Sequence, residues 1–243
     1  MEYKLTVTFI SSPNKKKNYL EPKFHSNSTS LHIAFFIPMA QPQPNRFLVA
    51  YNSISASLWS VVLFNTVFLS FTLGQPFVYT KTNLITTGIQ SFAVIEIINA
   101  AMGLVKSPLF TTVAQVFSRL LIVWGIHQYL PNSPANYHWT YITLCLSWSI
   151  TEIIRYSYYA QHLRNDVPDW LTWLRYTTFY VLYPTGVFSE VYQIVLSLDD
   201  AGFYYNLFLK VILVTYIPGF YMLYTYMIKQ RKKVLGPHKV KKN

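Results

Sequence analysis

Six long apolar runs, near residues 48–72, 84–105, 109–130, 138–162, 173–198 and 205–228, occupy most of the chain. A helix needs about 20 mostly apolar residues to cross a hydrocarbon core of roughly 30 Å, and each run is long enough. The pattern therefore predicts an all-α polytopic membrane protein, a bundle of six transmembrane helices joined by short links, with no internal repeat. Several runs are diluted by Ser, Thr, Asn, Gln and charged residues. Polar groups at bilayer depth are costly against lipid and turn toward the bundle interior, so these positions mark where a pocket should lie.

Residues 1–45 follow another pattern. Lys15-Lys16-Lys17, a Ser/Asn-rich patch at 26–30 and Gln41-Pro42-Gln43-Pro44 precede the first run, and the apolar piece from Leu31 to Ile37 is too short to span. The expected organisation is a disordered cytosolic tail over 1–45, a six-helix membrane domain over 46–230 and a basic cytosolic tail over 231–243. Met39 offers an alternative start. Arg46, Lys106, Arg164 and the Lys229/Arg231/Lys232/Lys233 cluster fall on one side of the predicted bundle and Lys81 on the other. Positive charge favours the cytosolic side, which places both termini in the cytosol.

The polar residues inside the runs define the chemistry to be sought. Run two carries Glu96 and Asn99, a helical turn apart, as glue between helices or as pocket support. Run three carries Arg119, which cannot shed its charge and so calls for an anionic partner; Glu96 and Glu190 are the candidates. Run four presents Glu152, Arg155, Tyr156 and Tyr159 on one face, and run five opens with Arg175. Glu152 and Arg155 could be a simple intrahelical pair. Alternatively, Arg155 and Arg175 form a guanidinium pair suited to phosphates. Further along run five, Tyr183 and Glu190 share a helix face about 10 Å apart along the axis. Pro184 and Gly186 lie between them, predicting a bend there and a pocket flanked by a phenol and a carboxyl.

Composition narrows the class. Hydrophobic residues make up 52% of the 243, aromatics 18% and charged residues only 12%, too apolar for an ordinary soluble domain. The formal charge of +11 sits in tails and loops rather than on one folded face, which argues against a nucleic-acid partner. A single cysteine, Cys145, excludes an intramolecular disulfide. There is no Gly-rich phosphate loop, no Ser/His/Asp elbow and no His or Cys pair at metal-ligand spacing. Cys145 is followed by apolar helical sequence, with Arg155 the next arginine, so the anion loop of a cysteine phosphatase is missing.

Tyr183-Pro-Thr-Gly-Val-Phe-Ser-Glu190, with Ser149-Ile-Thr-Glu-Ile-Ile-Arg-Tyr156 upstream, resembles the membrane-embedded very-long-chain (3R)-3-hydroxyacyl-CoA dehydratases of fatty acid elongation, also described as protein-tyrosine-phosphatase-like. Glu96-Ile-Ile-Asn99, Ser107-Pro-Leu-Phe-Thr-Thr-Val-Ala-Gln115 and Ser118-Arg-Leu120 extend the likeness, which covers about residues 46–234 and is that of a fungal-type member. The resemblance implies removal of water from (3R)-3-hydroxyacyl-CoA to give trans-2-enoyl-CoA at the endoplasmic reticulum. It implies Tyr183 and Glu190 as the catalytic pair, with Glu96, Arg119, Glu152, Arg155, Arg175 and Gly186 binding substrate or supporting the pocket. Glu190 is the expected base at C2 and Tyr183 the donor to the leaving oxygen; the reverse division is open. No cofactor is implied, because dehydration moves no electrons. The expected partners are the acyl-CoA substrate, membrane lipid and the condensing and reducing enzymes of elongation. A silent scaffold of that complex and a small lipid or ion transporter are the alternatives. A chain begun at Met39 should insert and turn over substrate as the full chain does; loss of either property would show that residues 1–38 are needed.

Overall fold

A computed structural model gives the structure of the protein and describes residues 8–11, 19–23, 37–38, 45–105 and 107–236. The chain forms two units, Met1–Pro44 and Asn45–Asn243. In the first, the described residues are three short strands, β1 (Thr8–Ser11), β2 (Tyr19–Lys23) and β3 (Ile37–Pro38). They pair antiparallel in the order β1-β2-β3, with Thr8 opposite Lys23 and Tyr19 opposite Pro38. The expected disorder of the tail concerns residues that otherwise lie outside those described. So do Met39, Lys106 and the last residues, 237–243.

All the described residues of the second unit that form regular structure are helical. Helix α1 (Arg46–Thr72) starts at Asn45, whose side chain accepts from the amides of Phe47 (3.1 Å) and Leu48 (3.3 Å) and so supplies partners to two otherwise open donors. The next run is two helices, α2 (Phe77–Ser91) and α3 (Val94–Ala101), separated by a tight turn at Phe92-Ala93. It begins at Phe77, earlier than the sequence expectation of 84. Lys81 and its polar neighbours conceal the start in composition, yet Lys81 is exposed while Val78, Tyr79, Thr82, Thr86 and Gln90 make a buried face at helical spacing.

Helix α4 (Leu109–Leu120) continues directly into a π-helical stretch, Leu121–Gln128. That wider winding rotates the following side chains relative to an α-helix, and such insertions are frequent at functional sites. After the short α5 (Pro134–Tyr137) come α6 (Thr140–Leu163), α7 (Asp169–Thr177), α8 (Phe179–Leu196) and α9 (Phe203–Leu235).

Among the described residues four segments, Arg46–Thr72, Phe77–Ala101, Leu109–Gln128 and Phe203–Leu235, are long and apolar enough to cross a membrane. The expected six spans therefore narrow to four on length and composition. The two that drop out, α6 and α7–α8, are the ones holding Glu152, Arg155, Arg175 and Glu190. Their polar content lowers the mean hydropathy because they form the interior.

Helix α6 is the hub, packed along α1 and α8. Its Tyr141, Leu144 and Cys145 are fully buried, joined by Ile122, Val123 and Ile126 of the π-helical stretch, Trp59 and Val62 of α1, and Ile194 of α8. The outer surface is apolar: Phe64, Phe71, Phe110, Tyr204 and Ile217 are all exposed, as lipid-facing side chains of a membrane protein should be. Helix α9 is the most peripheral of the long helices, with Leu209 its one buried residue.

Candidate active site

Four charged residues from three helices meet in one cluster. Glu152 of α6 takes Arg119 of α4 on Oε1 and the Nε of Arg155 on Oε2 (2.7 Å). Arg155 then reaches Glu96 of α3 with a two-pronged grip, Nη1 to Oε2 at 2.8 Å and Nη2 to Oε1 at 2.5 Å, and Tyr156 also donates to Glu96. Two carboxylates and two guanidinium groups make the cluster electrically neutral. That neutrality is the condition under which ions can be kept away from water.

The cluster corrects two expectations. Arg119 pairs with Glu152, not with Glu96 or Glu190, and Glu96 is taken by Arg155. Arg155 is held on Nε, Nη1 and Nη2 by carboxylates, so it is not half of a phosphate-binding pair with Arg175. Arg119 keeps a further feature: its Nε and Nη2 are buried and have no hydrogen-bond partner among the described residues.

Arg119 lies over the ring of Trp148, 4.4 Å from its centroid, and the same indole donates its Nε1–H to Oε1 of Glu190 at 2.9 Å. Trp148 thus has its face on the ion cluster and its edge on the second site. The other oxygen of Glu190, Oε2, accepts from the hydroxyl of Tyr216 on α9 at 2.9 Å. Glu190 is 7% exposed, and both of its donors are neutral.

Tyr183 is half-buried on the same helix as Glu190. Its ring stacks on Phe220 (5.3 Å) and Tyr224 (6.3 Å), while its hydroxyl has no hydrogen-bond partner among the described residues. Tyr216, Phe220 and Tyr224 recur every fourth residue along α9, so one face of that helix covers both Tyr183 and Glu190. Helix α8 runs unbroken through Pro184, and the interruption comes earlier, at Thr178, where α7 ends. Gly186 faces α6, and a Cβ there would stand 3.7 Å from Cβ of Ser147 and 4.0 Å from Cδ1 of Trp148. The bare backbone lets α8 lie close to α6, as does the hydroxyl pair Thr143–Ser189 at 2.7 Å.

Arg175 stands apart from both groups. Its Nη2 donates to the hydroxyl of Tyr159 at 3.2 Å, and it borders a cleft of about 250 Å³ shared with Tyr176, Tyr226 and Gln230. Phe179, which also lines the cleft, is one helical turn before Tyr183. Cys145 is fully buried in the core, and with Arg155 bound to carboxylates the two make no anion-binding loop. His127 is buried too, its Nε2 2.7 Å from Oε1 of Gln193.

Sequence reasoning missed Trp148 and Tyr216. The period-four aromatic stripe on α9 opposite Tyr183 and Glu190 was the available signal for Tyr216. Trp148, one turn before Glu152, carried none that set it apart from the other five tryptophans.

Residues 90–237 match the family model described as protein tyrosine phosphatase-like protein, PTPLA. A Caenorhabditis elegans very-long-chain (3R)-3-hydroxyacyl-CoA dehydratase is 39% identical over 214 residues, covering 81% of this chain and 97% of that protein. A Schizosaccharomyces pombe protein named "probable very-long-chain (3R)-3-hydroxyacyl-CoA dehydratase" is 38% identical over 197 residues, 78% of this chain and 92% of its own. The human very-long-chain (3R)-3-hydroxyacyl-CoA dehydratase 2 is 33% identical over 212 residues, 80% of this chain and 83% of its own. No solved structure matches the chain.

Removing the shared carboxylate should be more damaging than removing any single arginine contact at the periphery. Glu152→Gln leaves two guanidinium groups with one carboxylate between them, an imbalance worth about 3–5 kcal/mol for buried pairs. The thermal midpoint of the detergent-solubilised protein should fall well below wild type, whereas Arg175→Ala should move it little. Equal midpoints for the two variants would contradict the cluster's structural role.

Proposed function

The chain belongs to the protein tyrosine phosphatase-like PTPLA family, and from that premise we propose that it dehydrates (3R)-3-hydroxyacyl-CoA to trans-2-enoyl-CoA in very-long-chain fatty acid elongation. The observation that carries this reading is the state of Glu190. It is a buried carboxyl with no cationic partner among the described residues, held by two neutral donors, in a bundle whose Arg119 and Arg155 are paired with Glu152 and Glu96. A structural counter-ion would sit on an arginine. A carboxyl placed this way, beside a tyrosine whose hydroxyl is unengaged, suits proton transfer.

Dehydration breaks the C2–H and C3–O bonds and forms the C2=C3 bond. Glu190 takes the C2 proton, which the thioester carbonyl makes removable, and Tyr183 gives its proton to the departing hydroxyl, which leaves as water. The unpartnered Nε and Nη2 of Arg119 are suited to the thioester oxygen as negative charge develops on it. A proton returned from Glu190 to Tyr183 restores the resting enzyme. The reaction moves no electrons, so this scheme requires no redox cofactor.

In this reading α6 and α7–α8 complete a bundle of six spans whose pocket opens to the cytosol. Both termini are cytosolic. Arg175 and the cleft beside it then lie at the cytosolic mouth, where Arg175 replaces the expected Arg155–Arg175 pair as the contact for the CoA phosphates. The acyl chain lies in the bundle or in adjoining lipid, and the condensing and reducing enzymes of the cycle are its neighbours. The membrane is that of the endoplasmic reticulum.

The test is turnover of a defined (3R)-3-hydroxyacyl-CoA by purified protein. Tyr183→Phe and Glu190→Gln should each lower turnover by about 10²–10⁴-fold, the range for losing a general acid or base. Arg175→Ala should chiefly raise KM, and Tyr180→Phe on the same helix should do little. A folded Glu190→Gln protein keeping more than about a tenth of wild-type turnover would remove Glu190 from the mechanism.

A further inference from the structure

We propose that Tyr216 is a positioning residue for this reaction: from α9 its hydroxyl fixes the Glu190 carboxylate in the orientation that receives the C2 proton. The inference rests on the dehydratase reading of Glu190 and adds to it a residue outside the resemblance motifs. An ionised carboxyl has about four lone-pair directions and can turn about its terminal torsion. One donor leaves that rotation open. Two donors on different oxygens, from helices on different sides, close it: Trp148 of α6 holds Oε1 and Tyr216 of α9 holds Oε2, each at 2.9 Å. The carboxyl plane, and with it the direction of the lone pair left free on each oxygen, is then fixed, and the group is preorganised before substrate arrives.

The setting of Tyr216 marks this bond as more than general packing. Among the described residues, the α9 side chains hydrogen-bonded to residues outside that helix are Tyr205 and Asn206 near its start, and Tyr216. The first two go to backbone oxygens, of Gly125 and Leu198, and tie the helix down. Tyr216 alone goes to an ionisable side chain. It also occupies the same α9 face as Phe220 and Tyr224, which stack on Tyr183, so this face touches both members of the catalytic pair. Around Glu190 the ionisable groups are Tyr183 on its own helix, Tyr216 on α9 and, beyond the Trp148 ring, Arg119 on α4.

The experiment uses the full chain in detergent or nanodiscs with (3R)-3-hydroxyacyl-CoA. Tyr216→Phe removes one oxygen and keeps the ring, so the thermal midpoint should stay near wild type. Turnover number should fall about 10–100-fold, the loss expected for a hydrogen bond to a charged group, with KM within about twofold. The readout that a structural role would not move is the combination with Glu190→Asp, whose shortened side chain withdraws from Tyr216. In that background Tyr216→Phe should cost less than about twofold, because the bond it removes is already gone.

A Tyr216→Phe turnover number within twofold of wild type would overturn the proposal. So would penalties that multiply in the double variant, which would place Tyr216 on the substrate or in the scaffold. Absence of enoyl product from the wild type would instead remove the dehydratase reading, and this inference with it.

Discussion

One carboxylate shared by two guanidinium groups organises the interior of this bundle. Glu152 is 3% exposed and accepts from Arg119 on one oxygen and Arg155 on the other. Neither arginine can discharge itself by losing a proton, so each must find an anion or water. The rest of the cluster follows from that demand. Arg155 extends the chain of charge to Glu96 on α3, and Arg119 ties α4 to α6. The consecutive helices α3 and α4 are thereby joined to α6, and the side chains around them inherit fixed positions.

Trp148 transmits that order to the chemistry. Its indole is held by the Arg119 guanidinium over its face, so the direction of its N–H is not free, and the N–H meets Glu190. Glu190, the base in the proposed mechanism, is thus separated from the ion cluster by one aromatic ring. Proximity without direct pairing matters. An arginine in contact with Glu190 would hold it permanently as a salt-bridge partner and make it a poor proton acceptor.

Much of this was legible in the sequence, and the remainder was lost for identifiable reasons. Glu96, Arg119, Glu152, Arg155, Tyr183 and Glu190 stood out because each is expensive inside an apolar run, and all six are interior to the bundle or half-buried beside it. Spacing along one helix also correctly put Tyr183 and Glu190 on a common face. What spacing cannot give is the partner on another helix. Arg119 had three carboxyls within the apolar runs to choose from, Glu96, Glu152 and Glu190. Tyr216 was hidden among twenty tyrosines, most of which do nothing more specific than pack or face the interface.

Helix α9 carries a consequence for how variation in this chain should be interpreted. It runs for 33 residues with a single buried side chain, yet Tyr216, Phe220 and Tyr224 recur on it at every fourth position against Tyr183 and Glu190. Between those positions the only requirement is solubility in hydrocarbon, which Leu, Ile, Val, Met and Phe satisfy interchangeably. Mutational tolerance along this helix should therefore be periodic. An aliphatic replacement on the outward arc is close to silent, while the same chemical change one step round the helix strips the aromatic wall from Tyr183 and Glu190.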